Sequence, residues 1–355
     1  MNAAADTLPD APRGTAGTHI HKTHRFRWLL RREFWEHKGG FLWAPLVAGV
    51  ISLLLSAMGI AIAMVAARGR IPDGAKISLD SGHQIQINGL DLGMLTSQLG
   101  HEDLAKLGDG LDVTLILASG WPFIVLAFVL FFYCLGTLYD ERKNRSVLFW
   151  KSLPLSDAST VWSKVASAAI VAPILATGAA ILTMFGFLLL ISVVVLFYGG
   201  NPVTLLWGPS SPLLISAQYV AAIPVYALWA MPTIGWLMLC SAWSRSKPFL
   251  WAIMIPLFAG IFVAWLEFLG VYDDLTWPFF KNIVLRLLTS VFPVTFMDMQ
   301  HLQGIDFDVP GAARNLFNPV GVYRNLASAN LWIGVAAGVA MILAAIRLRR
   351  WRDEG

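Results

Sequence analysis

The chain has 355 residues, of which 57% are hydrophobic and 14% charged, and a formal net charge of +4. Soluble domains carry roughly 25% charged residues, so composition excludes the two soluble domains that length alone would allow and favours one polytopic membrane domain. Between Lys164 and Arg245 there is no Asp, Glu, Lys or Arg; membrane spans exclude charge because it is costly at the bilayer centre.

In chain order, residues 1–18 are rich in Ala, Thr, Gly and Pro and are expected to be a disordered tail. A cleavable signal peptide is not expected, because the first apolar run begins only at Phe41. His19, His21 and His24 lack acidic partners nearby and read as a solvated tail. Residues 24–40 predict a helix lying in the membrane interface. Phe26, Leu29, Leu30 and Phe34 share a face directed at lipid, with Arg25, Arg27, Arg31, Arg32 and Lys38 on the basic side. Gly39-Gly40 would end it.

Six spans follow, at about 41–67, 113–139, 165–198, 213–241, 249–269 and 327–346, each long enough for a bilayer. The first loop, 68–112, predicts a hairpin around Asp80-Ser81-Gly82-His83 and then leucines at helical spacing, a small α/β insertion. Residues 270–326 contain Phe279, Ile283, Leu287 and Val291, the pattern of a helix lying on the outer surface. The fold class is therefore an all-α polytopic membrane protein with six transmembrane helices, an interfacial elbow helix and an extracytoplasmic insertion. Segments 1–40, 140–164, 245–247 and 347–355 hold 18 Lys/Arg against 8 in 68–112 and 270–326, which puts both termini in the cytoplasm.

Segment 140–164 predicts a short helix over Ser146–Leu153, stopped by Pro154, with Ser156 or Asp157 capping the next helix. Val147, Leu148 and Trp150 form an apolar surface bordered by charge and suited to docking another protein. In the fourth span Pro224 and Pro232 are a candidate hinge. Glu267 is the acidic residue inside a proposed span and a candidate pathway residue. Gly334 and Gly338 permit close helix approach or dimerisation. Cys134 and Cys240 fall in spans, and a disulfide between them is not expected.

No Gly-x-x-x-x-Gly-Lys-Ser/Thr occurs, no Gly-x-Ser-x-Gly occurs, and His101-Glu102 has Ala105 where a zincin needs His. Catalytic, cofactor and metal residues are not expected here.

The layout resembles the permease subunits of type-2 ABC exporters, which have six spans, both ends inside and an elbow helix. Their second and third spans are joined by Glu-Arg, a short Leu-rich helix, Leu-Pro-Leu-Ser and a Lys entering the membrane. Glu141-Arg142, Leu148, Leu153-Pro154-Leu155-Ser156 and Lys164 match. Asn144-Arg145-Ser146-Val147 stands where Gly-Thr often follows in that family. The resemblance implies that Glu141, Arg142, Val147, Leu148, Trp150, Leu153 and Pro154 couple the chain to a separate ABC ATPase, which would bind ATP and Mg. It also implies a second permease copy, a bacterial-type inner membrane and export, while the uncharged spans favour an amphiphilic or small-molecule substrate; membrane lipids and no nucleic acid are the other expected partners. The alternatives are a polytopic enzyme acting on lipid-linked substrates and a non-catalytic membrane assembly factor.

Overall fold

The computed structural model describes residues 22–70, 75–78, 84–87, 92, 100–144, 156–296 and 319–352. The tail 1–18 and the Ser146–Leu153 helix lie outside these residues. Six segments are helical, long and apolar enough to cross a bilayer: Gly39–Ala66, Asp103–Lys143, Asp157–Phe197, Pro212–Trp229, Pro248–Phe268 and Ala329–Trp351. The chain is a multi-pass membrane protein by this measure.

Helix α1 (Lys22–Glu36) is followed by a wide turn at Gly39–Trp43 and by α2 (Ala44–Arg70). Strands β1 (Ala75–Ser78) and β2 (Gln84–Ile87) pair antiparallel, with Ile77 opposite Ile85. Helix α3 (His101–Ser119) meets α4 (Trp121–Lys143) at Gly120. The second helical segment therefore starts well before Val113; its first two turns are polar yet helical. Buried Asp112 on α3 accepts the Ser211 N–H (2.8 Å) and its hydroxyl, which anchors the start of a later span.

Helix α5 (Asp157–Ala166) runs through a wide turn, Ser167–Val171, into α6 (Ala172–Phe197). The fourth span is two helices, α7 (Pro212–Trp229) and α8 (Met231–Trp243), divided at Ala230. Pro232 sits in the first turn of α8, where a missing N–H costs no helical bond. Pro224 is interior to α7. Helix α9 (Pro248–Phe268) is the fifth span. Beyond it come α10 (Thr276–Phe279), a wide turn at Phe280–Leu285, α11 (Arg286–Thr289), α12 (Pro319–Arg324) and α13 (Ala329–Arg352).

The segment after α9 does not lie on the outer surface as its amphipathic pattern predicts. It folds back into the bundle. Phe280 fills the notch at Gly260, where a Cβ would fall 2.6 Å from its ring. The Thr233 hydroxyl donates to the Arg286 carbonyl (2.9 Å), the Ser290 N–H donates to Thr233 (3.1 Å), and Tyr226 OH donates to the Val291 carbonyl (2.7 Å). Polar groups on α7 and α8 thus satisfy backbone that would otherwise be left unpaired in an apolar setting.

Helices α8 and α13 cross closely. A Cβ on Gly235 would lie 2.9 Å from the Gly338 Cα, so both glycines are needed for this approach. Gly334 and Gly338 are therefore used inside one chain, the first against Arg286 and the second against α8. Two apolar clusters fill the bundle. One centres on Leu130, Val161, Ile234, Met238 and Ile342, the other on Leu115, Met184, Leu188 and Ile215. Trp28, Trp35, Trp43, Trp243, Trp251 and Trp351 are exposed near one end, and Trp121, Trp265, Trp277 and Trp332 near the other. Such belts suit two membrane interfaces.

Candidate coupling site

The end of the bundle where α1 and the last turns of α13 meet is held by charge. Glu33 on α1 is fully buried. Its carboxylate accepts from the Lys164 ammonium (3.0 Å) and from the Tyr133 hydroxyl (3.0 Å). Lys164, 2% exposed on α5, also lies 3.1 Å from Glu141 Oε1 at the end of α4. Arg349 of α13 completes the layer, with Nη1 3.0 Å from Glu141 Oε2 and Nε 3.4 Å from Asp157 Oδ1. Arg32 lies 3.7 Å from both Glu33 and Glu141.

The Lys164–Glu33 contact is an aligned hydrogen bond as well as an ion pair. The Glu141 contacts to Lys164 and Arg349 are close but not aligned as hydrogen bonds, so they are mainly Coulombic. Glu33, Glu141 and Asp157 face Arg32, Lys164 and Arg349, so the layer is neutral overall. Burying any one of these charges alone is costly; together they are compensated. The Tyr133 ring also packs edge-on against His37 (4.7 Å) and Phe41 (4.8 Å), which fixes the turn from α1 into α2. Glu33, Glu36 and His37 converge closely enough for a cation by distance alone, but the ammonium of Lys164 already occupies the Glu33 carboxylate.

Arg142, next to Glu141, donates to the carbonyls of Ser241 and Ser244 (3.0 Å for the second). It thereby caps the C-terminal turn of α8, a favourable place for a cation. The Ser241 hydroxyl accepts from the backbone of Leu138 (3.1 Å) and Tyr139 (3.0 Å). On the far side of residues 145–155, Ser156 caps α5 by accepting the Ser159 N–H (3.2 Å), and Asp157 follows in the first turn.

The predicted coupling residues thus divide. Glu141 and Arg142 are brought together with α8, α5 and α13. Val147, Leu148, Trp150, Leu153 and Pro154 lie outside the described residues. Glu33, Lys164 and Arg349 had not been assigned as a site; Lys164 had one signal, a lone cation opening an apolar run.

Helix α1 does not turn all of its apolar residues outward. Leu29 is 5% exposed and points into the protein, not towards lipid. Leu30 and Phe34 line a groove of about 540 Å3 with Arg27, Trp28, Arg31 and Val171. Phe26 is half-buried. The outward face carries Trp28 and Trp35, with Arg31 over the first ring (5.7 Å) and Lys38 over the second (5.4 Å). Helix α1 packs on α5, so Leu29 and Glu33 serve that contact.

Glu267 is engaged locally. Its carboxylate accepts the Thr276 N–H (2.6 Å) and so starts the fold-back segment. No family model matches the chain, and no curated protein or solved structure matches it.

Proposed function

We propose that the chain is the permease subunit of an ATP-driven ABC exporter, with both termini cytoplasmic, paired with a second copy and with two separate ATPase subunits. One observation carries this reading. Both ends of the segment 145–155 are fixed in the buried ion layer that also holds α1 and α13. The residues flanking this segment, Glu141 and Asp157, are thereby tied to α1, α4, α5 and α13 together. Force applied there by an ATPase would be passed to the spans as rigid-body motion. The exposed Trp and Arg side chains of α1 suit an interfacial elbow at the same level. The break at Ala230, beside Pro232, gives the fourth span a place to bend.

The test is uncoupling. Leu148→Asp or Trp150→Asp should leave membrane insertion intact and abolish stimulation of the partner's ATP hydrolysis. Unchanged stimulation in both variants removes the docking role. Cysteine labelling should reach position 246 from the cytoplasm and position 300 from outside.

A further inference from the structure

Arg286 lies among the membrane helices and faces no counter-ion among the described residues. Its backbone carbonyl is bonded to Thr233, and its guanidinium rests on the Trp229 ring, 4.5 Å from the centroid. Its Nε and Nη2 are buried and have no hydrogen-bond partner among the described residues. No carboxylate forms an ion pair with it among the described residues.

The depth follows from helix rise. Thr233 is eleven residues up α8 from Ser244, about 16 Å at 1.5 Å per residue. Gly334, which touches the guanidinium, is fifteen residues up α13 from Arg349, about 22 Å. Against a hydrocarbon core about 30 Å thick, these rises put Arg286 in its outer half, just inside Trp332 of the outer belt. Charges at that depth are costly and normally serve a pathway or a ligand.

We infer that Arg286 is the anion-binding residue of the membrane domain and takes the single phosphate or carboxylate of an amphiphile with an alkyl chain. Nε and Nη2 form the side of the guanidinium that grips such a group in two parallel bonds. The present conformation holds this edge against the bare Cα of Gly334, where a Cβ would be 2.8 Å from Nε. Binding to this edge therefore requires that Gly334 give way. Trp229 on the ring face and exposed Ile283 and Leu285 on the same segment supply apolar surface for the alkyl chain. A bare inorganic anion would lose its hydration without that compensation. This inference deepens the permease reading by naming its substrate class, but the binding arm below needs no ATPase and so stands or falls separately.

The experiment measures binding of dodecyl phosphate to the purified full chain in phosphatidylcholine nanodiscs, with dodecyl maltoside as the uncharged control. The parent should prefer dodecyl phosphate. Arg286→Gln should weaken it about tenfold or more, Arg286→Lys should fall between, and Lys281→Gln should match the parent. An Arg286→Gln protein that binds as the parent does, or a parent without preference for the phosphate, overturns the assignment. If the Gln variant fails to fold, an Arg286→Lys protein binding as tightly as the parent overturns it. Two further arms separate the source. One phosphatidylglycerol retained in native mass spectra and lost in Arg286→Gln marks a resident lipid. Stimulation of ATP hydrolysis by dodecyl phosphate, seen in the parent complex and absent in Arg286→Gln, marks cargo.

Discussion

Glu33 and Arg286 are both charged side chains inside an apolar bundle, and their surroundings treat them oppositely. Glu33 is fully buried yet meets an ammonium and a phenol within 3.0 Å. Arg286 is only half-buried yet leaves two donors unmatched. Burial alone therefore does not tell what a charge is for. A charge neutralised by its own chain builds structure. A charge left without a counter-ion carries a standing electrostatic cost that something outside the chain can offset.

The comparison breaks most easily at Glu33. Glu33→Ala leaves buried Lys164 with Glu141 alone and the Tyr133 hydroxyl without its acceptor, and should cost about 3–5 kcal/mol of stability, read by thermal unfolding in detergent. Replacing both partners, Glu33→Met with Lys164→Met, should recover most of that loss; a double variant as unstable as the single one would mean the pair's geometry is not what matters. The next effect tests the bundle that positions Arg286. Gly338→Val pushes α13 away from Met231 and Pro232 and should cost about 1–3 kcal/mol.

Ser156→Ala removes the cap at the start of α5 and should cost about 1 kcal/mol, with Ser156→Asp near the parent. Smallest is Arg286→Met. Removing an unpaired charge relieves desolvation while losing a ring contact, so stability should change by no more than about 1 kcal/mol. A loss as large as that of Glu33→Ala would place Arg286 among the structural charges.

The six spans were legible because absence of charge is a strong signal over twenty residues. Their ends were less so. The second segment begins at His101, since Asp103, Asp109 and Asp112 are polar but stand on a helix whose buried carboxylate pairs with Ser211. The ion layer was not legible, because Lys164 and Glu33 are 131 residues apart and nothing local announces their meeting. Leu29 was assigned to lipid because amphipathic spacing says which residues share a face, not what covers it. Glu267 drew notice as a lone intramembrane carboxylate, while the structure spends it on Thr276. Arg286 counted only as one basic residue in a loop, because nothing in residues 270–296 says that the loop returns into the bundle.

The most direct measurement for the account is the native mass of the solubilised chain purified with its ATPase, alongside ATP turnover. A permease of this kind should give two copies of this 39.0 kDa chain with two ATPase subunits, and turnover that needs both ATP sites. A stable, active single copy with no nucleotide-binding partner would contradict it.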